Sequence, residues 1–254
     1  MAEHFFEFRH VSKAFDEHVV LEDVSFFVDP GETCVILGRS GVGKSVTLKH
    51  ILGFLKPDAG QVLVDGAEIT GWTEAQLEAV RRRVAMVFQS GALFDSLTVR
   101  NNVAFPLESR GDLDDDAIDR RVTELLEMLE VAKYADVLPA DLSTGMKRAV
   151  AIARALAQEP DAILYDEPTT MVDPIMAAHV SDLIGKLKQT LRRTSVVVTH
   201  DTHLARKLAD RVVFLQDGRV AFFGPWSEFE NNPQPFLRNF LLQDALIPAL
   251  DQTL

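Results

Sequence analysis

Gly38-Arg39-Ser40-Gly41-Val42-Gly43-Lys44-Ser45 is the stretch that decides the fold. It follows the G-x-x-x-x-G-K-[ST] spacing in full. The apolar run Thr33–Leu37 precedes it. A helical pattern from Val42 to Phe54 follows, with Val46, Leu48, Ile51 and Leu52 apolar and Gly53 near the stop. Glycines let the backbone curl so that successive N–H groups point inward, and the following helix adds the positive end of its dipole. Such a loop cradles phosphate oxygens. Lys44 supplies charge to the outer phosphates and the Ser45 hydroxyl can ligate a divalent cation.

A second polar group at a strand end supports this reading. Ala162-Ile163-Leu164-Tyr165-Asp166-Glu167 is an apolar run that delivers two adjacent acids, and side chains alternate along a strand, so the two can serve different tasks. Asp166 suits a Mg²⁺ shell and Glu167 suits polarising a water. A third apolar run ends in Val198-Thr199-His200. Polar groups at several strand ends beside a phosphate loop fit a nucleotide site at the carboxyl edge of an open sheet.

Around these pieces the pattern is α/β. Phe5–Phe8, Ser25–Val28, Gln61–Val64 and Val84–Phe88 read as strands, and Asp29-Pro30-Gly31 and Asp65-Gly66 as turns. Thr73, with Gln76 three residues on, opens a helix that runs to Arg83. From about Ser90 to Gln158 the chain is mostly helical. Asp112–Val131 places Ile118, Val122, Leu125, Leu126 and Leu129 on one face. Past Pro160 the alternation returns, with a helix from Ile175 to Leu191, a strand at Val196–Thr199 and a hairpin around Asp217-Gly218. From Trp226 on, Pro233, Pro235 and Pro248 punctuate a tail in which Phe236–Leu246 forms one amphipathic helix.

Composition narrows the classes. With 254 residues, 47% hydrophobic and 25% charged, the chain can bury a proper core. Its 26 basic and 38 acidic residues leave a net charge of −12, a poor basis for coating nucleic acid. Eight acidic against three basic residues lie between Arg110 and Glu130, so five of the twelve excess charges sit on one predicted helix, a solvated face. Cys34 is the only cysteine, which excludes a disulfide framework and favours a reducing compartment. The N-terminus lacks a signal-peptide pattern and no run approaches the roughly 20 apolar residues of a membrane span, so a cytoplasmic location is expected.

In this order the pieces resemble the ATP-binding cassette ATPases over about residues 3–225, with a helical subdomain at about 90–158 and residues 226–254 as a C-terminal tail. The resemblance implies an α/β, RecA-like P-loop core with an antiparallel β part. It also implies the ligands ATP and Mg²⁺. Gln89 stands at the lid glutamine, Ser143-Thr144-Gly145 in the signature loop, Asp173 at the D-loop aspartate, His200 at the switch histidine and Phe15 at the adenine-stacking aromatic. Ser45, Gln89 and Asp166 are then the metal residues; Lys44, Glu167, His200 and Gln89 are the catalytic ones. Gly38, Arg39, Ser40, Gly41, Val42, Gly43 and Val46 line the phosphates.

The family works as a head-to-tail dimer that sandwiches each ATP between one copy's phosphate loop and the other's signature loop. A separate integral-membrane permease is implied, with this chain peripheral on the cytoplasmic face of the inner membrane. Val87-Phe88-Gln89-Ser90-Gly91-Ala92-Leu93-Phe94-Asp95-Ser96-Leu97-Thr98-Val99, followed by Asn102–Leu107, resembles the Mla-type, Mce-associated phospholipid transport ATPases. Those work with a periplasmic MCE-type lipid-binding component. An importer subunit for amino acids or another small polar solute remains an alternative, as does a soluble cassette ATPase without a permease. The single cassette and the acidic charge disfavour the last.

Three positions depart from the family pattern. Thr144 replaces the first signature glycine, Val46 replaces a hydroxyl residue, and Met171-Val172 replaces small residues before Asp173. A β-branched side chain in a loop whose backbone approaches a phosphate weakens the ATP sandwich. Thr144→Gly is therefore expected to raise steady-state ATPase activity above wild type. A side-by-side assay in which wild type equals or exceeds the variant overturns this.

Overall fold

Alternation of buried and exposed side chains along Phe6, Glu7, Phe8 and Arg9 builds the first strand, and its register shows which face is inward. The computed structural model describes residues 3–250. The chain runs through β1 (Phe6–Phe15), β2 (His18–Val28), β3 (Thr33–Leu37), α1 (Lys44–Ile51), β4 (Ala59–Val64), β5 (Ala67–Glu68), α2 (Glu74–Arg83) and β6 (Val84–Val87). Helices α3 (Val99–Arg110), α4 (Asp115–Met128) and α5 (Thr144–Ala157) follow, then β7 (Ala162–Asp166), α6 (Pro174–Leu191) and β8 (Thr194–Thr199). The last elements are α7 (Thr202–Leu208), β9 (Arg211–Gln216), β10 (Arg219–Pro225), α8 (Trp226–Glu230) and α9 (Pro235–Leu250). Two compact units result: the chain up to Gly71 together with the chain from Val197 on, and Trp72–Val196.

In the first unit an antiparallel sheet has the order β2-β1-β4-β5. Phe6 pairs with Val28 on one side and Val64 on the other, and Phe8 stacks on Phe26 at 4.6 Å. Strands β1 and β2 run well beyond Phe5–Phe8 and Ser25–Val28. Register shifts beyond Phe8 and the left-handed His10 (φ 53°) break the alternation that marks a strand in sequence. Elsewhere in the unit β3 pairs in parallel with β9, from Cys34 opposite Arg211 to Leu37 opposite Phe214, and β9 turns back into β10. Every residue of β3 is buried, and burial pushes the Cys34 thiol far above its ordinary pKa, so it is an inert apolar filler. The Phe236 and Phe240 rings of α9 lie 6.0 and 4.9 Å from Phe214, so the start of the tail packs on its own β9. The side chains of Leu246 and Ile247 lie outside the described residues.

The second unit holds α2 through α6. Thr73 caps α2, its N–H donating to Gln76 Oε1 at 2.9 Å, as the spacing predicts. Strands β6 and β7 pair in parallel, Val84 opposite Ala162 and Val87 opposite Tyr165. Helices α3, α4 and α5 pack on one another and α6 packs on α5. Helix α4 is shorter than Asp112–Val131 because Asp114 caps it, accepting from Ala117 N at 2.7 Å. Val122, Leu125 and Leu126 turn inward, while Asp112, Asp114, Asp115, Asp116, Asp119, Glu124, Glu127 and Glu130 are all exposed. Among the described residues no helix is long and apolar enough to cross a membrane.

Asn102 is the polar knot of this unit. It is fully buried on α3; its Oδ1 accepts from Phe94 N at 2.8 Å, and its Nδ2 donates to Phe94 O, Leu97 O and Thr98 O at 3.0–3.1 Å. The loop before α3 is thus wound around one amide. Asn102→Asp keeps the volume but turns a carboxylate oxygen toward three carbonyls. It is expected to cost about 3 kcal/mol, lowering the thermal unfolding midpoint by roughly 6–12 °C, as read by calorimetry.

Candidate functional site

The phosphate loop leaves the buried β3 and enters α1 within the first unit. Gly43, the N-cap of α1, has φ 100°, and a Cβ there would lie 2.9 Å from Val20 O. Only glycine fits that bend. Gly41 also needs a left-handed φ of 82°, with open space on its Cβ side, where a ligand can approach the main chain. Lys44 is 6% exposed; its Nζ donates to Gly38 O at 2.9 Å and Arg39 O at 3.0 Å, folded over its own loop. Thr47 Oγ1 donates to Gly43 O at 3.1 Å and ties the first turn to the bend.

Nothing acidic stands in the first turn of α1, so no side chain of that turn competes with an anion for the dipole end. Ser45 and Val46 are half-buried, Val42 likewise, and Arg39, Ser40 and Gly41 are exposed. One turn on, His50 is buried with Nδ1 2.7 Å from Val46 O, and desolvation holds it below the ordinary histidine range. In the same unit Phe15 ends β1 with its ring exposed and Lys13 Nζ 5.5 Å from its centroid. His200 follows β8 directly and is exposed; Asp201 beside it caps α7, accepting from His203 N and Leu204 N.

In the second unit the wholly buried β7 delivers Asp166 and Glu167, both buried. Glu167 is left-handed (φ 48°) and its Oε2 accepts from Thr170 Oγ1 at 2.9 Å. A non-glycine residue held there stores strain that the surroundings must enforce. Asp173 caps α6 by accepting from Met176 N at 3.0 Å. Ser143 caps α5, accepting from Met146 N at 3.3 Å, and Thr144 is exposed in the first turn. Gly145 is buried against α6; a Cβ there would lie 2.7 Å from Met176 Cβ. Packing thus joins Ser143-Thr144-Gly145 to the segment that carries Asp173. Gln89 follows β6 and is exposed.

Two residues escaped the reading of the sequence. Arg148 and Arg154, both on α5, are pushed below the ordinary arginine range by burial alone. The only signal was a pair of guanidinium groups in a helix otherwise buried along most of its length. Among the described residues no three His, Cys, Asp or Glu side chains form a cation cage.

A family model described as ABC transporter matches residues 21–170. The chain belongs to the ABC transporter family. The cassette elements described above are those of one of its ATP-binding ATPases. It is 36% identical over 244 residues to the intermembrane phospholipid transport system ATP-binding protein MlaF of Escherichia coli K12, covering 95% of this chain and 91% of that one. It is 39% identical over 245 residues to the methionine import ATP-binding protein MetN of Corynebacterium efficiens, covering 94% of this chain and 68% of that one. The chain spans about two thirds of the length of the MetN relatives, 66% for that of Brucella abortus.

Among solved structures, a dimeric ATP-binding cassette in a post-hydrolysis state bound to ADP and Pi matches with a TM-score of 0.79 and 34% identity. That match covers 87% of this chain and 98% of that one. The ABC transporter component cbiO1 of Clostridium perfringens matches with 0.82 and 27% identity, covering 99% and 100%. These cassettes support the α/β P-loop architecture expected from the phosphate loop and its flanking strands.

Gly145→Ala tests the contact with α6. No positive φ is needed there, so the effect is steric, and repacking around Met176 is expected to cost about 1–3 kcal/mol. Denaturant unfolding checks this; an unchanged midpoint overturns it.

Proposed function

We propose that this ABC ATPase powers lipid transport, most simply of phospholipids, through a separate permease. The observation that carries the ATPase part is the pairing of a complete phosphate loop, with Lys44 folded over Gly38 and Arg39, and the strained Glu167 at the end of a buried strand. The phosphate loop's N–H groups and Lys44 bind and neutralise the phosphates of ATP, and Phe15 offers a ring to the adenine. Ser45, Gln89 and Asp166 are the residues that would hold Mg²⁺, which would supply further charge neutralisation on the phosphates. Glu167 orients the attacking water, with Thr170 fixing one carboxylate oxygen, and His200 contacts the outer phosphate. Ser143, Gly145 and Asp173 serve the ATP of a second copy in a head-to-tail homodimer. Exposed Met171 and Ile175, at 84% and 82%, give that copy an apolar surface around Asp173.

Support for a lipid cargo comes from Val87–Leu107 and from the near full-length match to MlaF. Phe94 and Phe105 in that stretch are exposed and 4.7 Å apart, an aromatic pair suited to a permease helix. The chain is then peripheral on the cytoplasmic face of the inner membrane, with a periplasmic MCE-type component completing the complex and no nucleic acid involved. The MetN matches favour a second reading, an importer subunit for an amino acid or similar solute. Co-purification from detergent extract separates the two: bound phospholipid with an integral subunit supports the first, and a permease that carries no lipid supports the second.

Glu167→Gln is expected to abolish turnover while keeping ATP binding, and to trap an ATP-bound dimer on size exclusion. Wild-type hydrolysis by this variant refutes Glu167 as the water-orienting base.

A further inference from the structure

Phe88 to Gly91 is a tight turn closed by Gly91 N donating to Phe88 O at 2.8 Å, with Gln89 and Ser90 at its centre. Its two end carbonyls are both held by α5. Arg148 Nη1 donates to Phe88 O at 3.5 Å, and Arg154 Nη2 donates to Gly91 O at 3.1 Å. A Cβ on Gly91 would lie 3.5 Å from Arg148 Nη1, so the turn runs along the helix with no side chain between them. Arg148 also reaches the other way: its Nη2 donates to Thr170 O at 3.5 Å.

Thr170 is the residue whose hydroxyl donates to Glu167. One guanidinium therefore stands between the main chain that carries Gln89 and the main chain that steers Glu167. It is 3% exposed, is paired with no carboxylate among the described residues, and keeps its Nε without a partner. Burying a charge against two long carbonyl contacts costs stability. A buried cation with no structural counter-ion points to work done elsewhere than in holding the fold. Lysine has no planar fork and cannot span both carbonyls.

We propose that Arg148 is a positioning residue for hydrolysis, a fork that sets the Gln89 turn and, through Thr170, the Glu167 carboxylate in one register, with Arg154 anchoring the far end of the turn. The proposal rests on the roles given above to Gln89 and Glu167. It makes α5, whose first turn carries Thr144 and Gly145, the element to which both are referenced. No covalent step is assigned to Arg148.

The test is a double-mutant cycle on the purified full chain with Arg148→Lys and Thr170→Val, rates being normalised to folded protein by calorimetry. Arg148→Lys keeps the charge, and Thr170→Val is nearly isosteric and removes only the hydroxyl. Arg148→Lys is expected to lower kcat about tenfold or more with KM for ATP within about twofold, because misplacement acts on the chemical step. Thr170→Val is expected to lower kcat about threefold or more, and the double variant is expected to be no slower than Arg148→Lys, since both break one chain of contacts. Wild-type kcat in Arg148→Lys, or effects that multiply independently in the double variant, overturns the proposal. Glu167→Gln run alongside keeps the two readings apart. If it is inactive while the cycle is additive, the base stands and the fork falls. If it is active while Arg148→Lys still lowers kcat, the base falls and the arm through Thr170 falls with it, leaving the fork acting through the Gln89 turn.

Discussion

A strand with water on neither face must hand over its polar groups at its end, and this constraint organises both units. Strands β3 and β7 are buried at every residue. Charge set inside either would go unsolvated, at a cost of several kcal/mol. Each therefore stops where chemistry starts: β3 at the glycine loop that carries Lys44, and β7 at Asp166, with Glu167 next. The charged groups so delivered are still largely buried and need local partners. Lys44 finds the carbonyls of Gly38 and Arg39; Glu167 finds the Thr170 hydroxyl. The left-handed conformations of Glu167 and Met171 show the backbone bent sharply to reach those partners.

Legibility followed the same physics. β3 and β7 are short continuous apolar runs, and their ends were readable to within a residue. So was α2, because a capping box is a local signal that needs no tertiary context. Strands β1 and β2 were seen only at their regular ends, since register shifts and charged outer residues hide the rest. The phosphate loop and the acid pair were visible as residue types at fixed spacing, Ser143 and Asp173 through the family resemblance alone, and that both cap helices appears only in the structure. Arg148 was not: what singles it out is burial without a counter-ion, and that exists only once α5 lies against the turn after β6.

Acidity takes on a different meaning once the elements are in place. A chain of net charge −12 that binds a polyanion looks self-defeating, but the charge is segregated. The cluster between Arg110 and Glu130 lies on the exposed side of α4, where Asp114 caps the helix and Asp115 and Asp116 meet its positive end. Part of the surplus is thus used in starting a helix, and at distances beyond a Debye length of about 8 Å salt screens the rest. The first turn of α1 holds no acid at all. Net charge limits the partners of the whole surface; it does not set the field inside one loop.

The same separation of scales explains why the family departures can persist. Met171 would be costly to fit if it pointed into a packed core, yet it is 84% exposed, and Thr144 is exposed as well. Neither side chain displaces a buried neighbour, so neither carries a packing penalty, and what Met171 costs is the strain of its left-handed backbone (φ 60°). Gly145, one residue past Thr144, is different: it faces Met176 at a distance that admits no Cβ. The loop has therefore kept glycine where its own chain presses on it and relaxed it where only a binding partner could. If a second copy's nucleotide lies over Thr144, the substitution is felt in the assembled state and not in the fold of the single chain.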